Sequence, residues 1–139
     1  MVTRVVGLLV LTLLLWCPAS WAQASGNTEK EPVSDGRTLS EWVADLKAAA
    51  PETRNAAAYE IAGMGPAAAA AVPALIEALE DPIAAVRFPV TVALGEIGPG
   101  AEAAVPRLKQ MMEEEINDEI AAGARRAIRR IKPEALRNR

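Results

Sequence analysis

An all-α fold, a short solenoid of about two and a half to three helix pairs, follows from three observations on the 139-residue chain. Apolar and punctuating residues recur with a fixed period in the low thirties, the spacing of two-helix repeat units. The hydrophobic share of 51% is dominated by alanine, with only 4% aromatic residues, a composition that favours helix. No stretch alternates apolar and polar residues with β-branched enrichment, so strands are not expected.

The period is read by subtraction. Leu39, Val72 and Val105 are spaced by 33, as are Trp42, Leu75 and Leu108, and Leu46, Leu79 and Met112. The second helices agree: Arg54 to Arg87, Ile61 to Leu94, Met64 to Ile97 and Gly65-Pro66 to Gly98-Pro99 are each 33 apart. The last unit needs one residue more, since Val86, Leu94, Ile97 and Pro99 map at 34 onto Ile120, Ile128, Ile131 and Pro133.

Taken in order, Met1 to Ala24 has the parts of a secretory signal: Arg4, the apolar run Val5 to Leu15, and Ala22-Gln23-Ala24 as a small-x-small cleavage site. The expectation is an exported chain, periplasmic or extracellular, with no stable membrane span once the signal is cleaved. Ser25 to Arg37 mixes Gly, Ser, Asn, Pro and alternating charge with little to bury, and reads as a flexible linker. The repeat domain then spans 38–133, and 134–139 is a basic C-terminal tail.

Within the domain, Thr38-Leu39-Ser40-Glu41 fits a capping box, and Leu39, Trp42, Val43 and Leu46 form one buried face of a helix ending in Ala48 to Ala50. A second helix runs from about Pro51 to Met64, with Tyr59 and Ile61 inward and Gly65 as its stop. The central unit repeats the plan: a helix from Val72-Pro73, a turn at Asp81-Pro82, and a helix Ile83 to Ile97 stopped by Gly98-Pro99. Pro89 lies inside that helix and should kink it, because proline removes a backbone donor and crowds the preceding turn.

The segments Gly-Pro-x-Ala-x-Ala-Ala-Val-Pro-x-Leu, Leu-Glu-Asp-Pro, and Val-Arg followed by Ala-Leu-Gly-Glu-Ile-Gly-Pro resemble HEAT-like repeats of the phycobilisome-lyase type. The resemblance covers Thr38 to about Pro133 and implies stacked antiparallel helix pairs with a right-handed curl. It also implies that Arg54 and Arg87 pair with the acidic turn of a neighbouring unit, with Asp81 expected for Arg87.

Groups that usually carry chemistry are scarce. There is no histidine, and the single cysteine, Cys17, lies in the signal, so no Cys/His metal site, Cys–His or Ser–His pair can form in the mature chain. The acidic residues Glu77, Glu80, Asp81 and Glu113 to Glu115 lack the alternating spacing and loop glycine of calcium loops. No enzyme activity, metal or cofactor is therefore expected. Charge is divided unevenly: Ser25 to Glu119 holds 17 acidic and 7 basic residues, whereas Ile120 to Arg139 holds 1 acidic and 7 basic. On the last helix Ala124, Ala127, Ile128 and Ile131 face inward by spacing. Arg125, Arg126, Arg129, Arg130 and Lys132 fall outside, as a solubilising cap or as partner-binding residues for an anionic surface. Nucleic acid is the weakest such partner, because no stacking aromatics are interleaved.

The function expected is thus a non-catalytic protein–protein interaction or scaffold module. Two alternatives come with it: a non-catalytic subunit or chaperone-like partner of a lyase-type enzyme, and a module that self-associates through open solenoid ends.

Overall fold

The computed structural model describes residues 30–137, so the signal segment and the start of the linker lie outside the described residues. Three helix pairs follow one another: α1 (Leu39–Asp45) with α2 (Pro51–Met64), α3 (Val72–Ala78) with α4 (Ala84–Ile97), and α5 (Val105–Glu114) with α6 (Asp118–Ile131). The second members, α2, α4 and α6, pack side by side as one layer, and each carries its unit's first helix on its inner side. The result is a short all-α solenoid.

Its punctuation is chemical. Thr38 caps α1 with both halves of a capping box: its backbone N–H donates to Glu41 Oε2 at 2.8 Å while its hydroxyl accepts from the Glu41 N–H. Gly65 and Gly98 end α2 and α4 with φ of 57° and 71°, a region closed to most L-residues. Each leads into a 3₁₀ segment, Gly65–Ala71 or Gly98–Ala104, that buries two equivalent pairs of alanines: Ala68 and Ala71, Ala101 and Ala104. Pro73 and Pro106 sit in the first turns of α3 and α5, where no helical donor is lost. Asn117 caps α6 by accepting from the N–H groups of Glu119 and Ile120.

The core is thin and built of small parts. Leu75, Leu79, Leu94, Leu108, Ile61 and Ile128 are fully enclosed, and the space between them is filled by alanines. Pro51–Ala78 is a continuous helical run apolar and long enough to cross a membrane by composition, but it turns at Gly65 and buries its Ala57, Ile61 and Leu75 between the layers.

Four expectations need correction. From Lys30 onward the linker is built into the domain: Val33–Ser34 (β1) pairs antiparallel with Arg37–Thr38 (β2) around an Asp35-Gly36 turn whose φ values are 48° and 74°. Trp42 Nε1 donates to the Ser34 carbonyl at 3.1 Å, Ser34 Oγ donates to Glu60 at 2.6 Å, and the Arg37 guanidinium lies 4.0 Å over the Trp42 ring. Two-residue strands are too short to show alternation, and their anchors, Trp42 and Glu60, lie in later elements. Helix α1 stops at Asp45 rather than in Ala48 to Ala50, because the Ala48 and Ala49 carbonyls turn to accept from Arg54 Nη1 at 2.8 and 3.0 Å. Tyr59 is not in the core but 48% exposed. Of the basic tail, the described residues do not stand free, since Pro133–Leu136 forms a 3₁₀ turn that rests Ala135 and Leu136 on the core.

Helix α4 runs through Pro89 without a break in its assignment. Proline cannot donate to the Ala85 carbonyl four residues earlier, and Asn55 Nδ2 of α2 donates to that oxygen instead, at 2.5 Å. A neighbouring repeat thus replaces the donor that Pro89 lacks.

Candidate interaction surface

Arginines join consecutive units at the turn edge. Arg54 Nε lies 2.6 Å from Asp81 Oδ2, and its Nη2 is 3.1 Å from Oδ1, a two-point contact with side chains only 13% and 8% exposed. Arg87 repeats the arrangement with Glu115, at 2.9 and 3.1 Å. The expected pairing of Arg87 with the Asp81 carboxylate is therefore shifted by one unit: Arg87 donates to the Asp81 backbone carbonyl at 2.8 Å, and Asp81 gives its carboxylate to Arg54. Both carboxyls are held below the usual carboxylate range, each chiefly by hydrogen bonding to its arginine. In the third unit the equivalent position is Ala121, and the ladder ends there.

The five cations singled out on the last helix separate into three kinds. Arg130 and Lys132 are spent within the molecule. Arg130 forks onto Glu96 of α4, with its Nη2 2.6 Å from Oε2, and Lys132 pairs with Glu102, which raises the lysine pKa. Arg125 and Arg129 stand where a following repeat would stack. Their equivalents are Ala58 and Ala62 on α2, and Thr91 and Gly95 on α4, all buried against the next helix. Small residues there let the layers close: a Cβ on Gly95 would lie 3.2 Å from Ala127 Cα, and one on Gly123 only 2.6 Å from Thr91 Oγ1. In the third unit two exposed arginines stand in those places, putting charge where the earlier units have small buried residues. Arg126 is of the third kind. It lies on the outward face of the layer, at the position of Tyr59 on α2 and Val92 on α4.

That outward face carries the site. Its stripe on α2 is Glu52, Ala56, Tyr59 and Gly63, all exposed; on α4 the equivalents Pro89 and Val92 are buried and half-buried. Between α4 and α6 it dips into a groove of about 280 Å³, with Gly95, Gly123 and Ala127 at its floor and Arg126 and Arg129 on its rim. Neither of those two arginines takes part in an ion pair among the described residues. Such a groove can accept an apolar side chain flanked by carboxylates. The sequence placed the arginines outside, but it did not single out the groove, because its floor is made of glycines and alanine that resemble any other helix filler.

At the opposite edge of α6, the turn from Glu113 to Glu119 holds five carboxylates around Ile116, which is 97% exposed. No group of three or more residues able to hold a metal ion occurs among the described residues.

Comparison with known families agrees with this architecture. A family model described as HEAT repeats matches residues 39–129, while no curated protein and no solved structure matches the chain. Three stacked helix pairs, the arginine ladder between their turns, and a match over the greater part of the length place the chain in the HEAT repeat family.

Proposed function

We propose that the chain is a non-catalytic interaction scaffold working outside the cytoplasm, and that it holds a protein partner on the outward face of the α2–α4–α6 layer. HEAT repeats generally mediate protein–protein contacts, and the observation that carries the proposal here is the ladder Tyr59, Val92, Arg126 at equivalent positions. A half-exposed tyrosine, an aliphatic residue and an unpaired arginine offer aromatic, apolar and anion-binding contacts along one line. Export rests on the signal pattern at Met1 to Ala24, and an anionic patch on the partner is what Arg125, Arg126 and Arg129 would favour.

The test is affinity capture from the cell envelope, comparing the chain with a Tyr59→Ala/Arg126→Glu variant. Loss of a captured partner with the variant supports the face; unchanged capture moves the site elsewhere. The mass of the recovered chain tests export, with Ser25 expected as its first residue. Accumulation of the full-length chain in the cytoplasm would refute export and favour the phycobilisome-lyase-type subclass, with a chaperone-like role beside an enzyme.

A further inference from the structure

Two surface features are complementary. One is the groove between α4 and α6, apolar at its floor and rimmed by Arg126 and Arg129. The other is Ile116, almost wholly exposed on a tight turn, with the exposed carboxylates of Glu113, Asp118 and Glu119 about it. An isoleucine presented in this way leaves nearly its whole apolar side chain in water, and burial against an apolar floor would remove it. Within one chain the two cannot meet: Ile116 precedes α6, and Arg126 lies ten residues further along, about 15 Å of helix rise away on a rigid element.

We infer that the groove receives the Ile116 turn of a second copy of this chain, with Ile116 over Gly95, Gly123 and Ala127 and the flanking carboxylates against Arg126 and Arg129. Charge complementarity selects this occupant: the groove is lined by three arginines and one carboxylate, Glu96, which Arg130 neutralises, and the turn is the most acidic segment of the described residues. Glu115 stays with Arg87 and is not needed for the contact. Turn and groove are different patches, so a single contact is heterologous and leaves one copy with a free turn and the other with a free groove. Stacking through the α6 end is a separate matter, since Arg125 and Arg129 close that route to a further helix pair.

Sedimentation equilibrium of the purified chain tests this. The mean mass should rise above that of the monomer with concentration, and rising salt should reverse the increase. Ile116→Ser alone and Arg126→Glu/Arg129→Glu alone should each give monomers with unchanged circular dichroism, because all three side chains are exposed. Mixing those two variants should restore a species of twice the monomer mass and nothing larger, since the first retains an intact groove and the second an intact turn. A wild type that stays monomeric throughout, association unaffected by either variant, or a mixture that stays monomeric would each overturn the proposal. Ile116→Ser leaves Tyr59, Val92 and Arg126 in place, so partner capture by that variant tests the proposed face separately from self-association.

Discussion

Replacing Gly123 with alanine tests the closest approach in the fold. In an isolated helix the change is favourable by about 1 kcal/mol, since glycine is the poorer helix former. In the structure the new Cβ would lie 2.6 Å from Thr91 Oγ1, with Phe88 Cδ2 at 3.7 Å on another side. Thr91 cannot yield cheaply. It is fully buried, its β-branched χ1 is restricted in a helix, and its hydroxyl donates to the Phe88 carbonyl at 2.7 Å. Either that bond breaks inside the protein or α6 lifts from α4, where the Gly95–Ala127 contact is already tight. Overpacking of this kind costs about 1–3 kcal/mol, so after the helix gain of about 1 kcal/mol the net expectation is a loss of up to about 2 kcal/mol and a Tm lower by up to about 10 °C. The same substitution in a Thr91→Ala background has the opposite sign. With alanine at 91, as Ala58 stands in the first unit, the obstructing hydroxyl is gone and Gly123→Ala should stabilise by up to about 1 kcal/mol. Urea titrations of the four proteins measure the coupling. If Gly123→Ala stabilises both backgrounds equally, the α4–α6 approach described above is wrong.

Other expectations follow from the core, the proline and the turns. Leu75→Ala, at a residue with no exposure in the middle unit, should lower unfolding free energy by about 2–5 kcal/mol in denaturant titration; an unchanged midpoint would refute the repeat register. Asn55→Ala should cost about 0.5–1.5 kcal/mol in the parent chain and less in Pro89→Ala, where the helix regains its own donor for Ala85; equal losses in both would show that the amide does not compensate the proline. Asp81 and Glu115 have depressed folded-state pKa values, so their contribution is complete above the unfolded values of about 4 and is lost as pH falls through the folded ones. Melting temperature should therefore fall on acidification below about pH 4, and Asp81→Asn with Glu115→Gln should lower Tm at neutral pH while flattening that acid limb.

How much of this was legible in the sequence depended on how far each interaction reaches. The pairs of helices and their stops were readable, because Gly65-Pro66, Gly98-Pro99 and the Leu75, Leu94 and Leu108 positions act within a turn or one repeat. The outward turn of Tyr59 was not. Helix α2 carries alanine on every side, so its periodicity gives no orientation that would turn Tyr59 outward. The hairpin at Val33–Thr38 escaped because its support comes from Trp42 and Glu60, in later elements. The patch of cations was visible as composition, but its division was not. Glu96 and Glu102 neutralise two of its members from another unit, and only superposition of the repeats shows that Arg125 and Arg129 occupy seams.

The arginine ladder has a mechanical consequence. Arg54–Asp81 and Arg87–Glu115 fasten adjacent units along their turn edge with side chains largely shielded from water, whereas the far edge combines contacts of small residues, such as Gly100 against Ala69, with the more exposed pairs Arg130–Glu96 and Lys132–Glu102. Ionic fasteners loosen with acid, while apolar contacts do not. Protonating Asp81 and Glu115 would thus loosen the turn edge of the stack while the apolar contacts of the far edge persist, so that acid should alter the spacing of Tyr59, Val92 and Arg126 along the layer unevenly, like a bimetallic strip with two unlike edges.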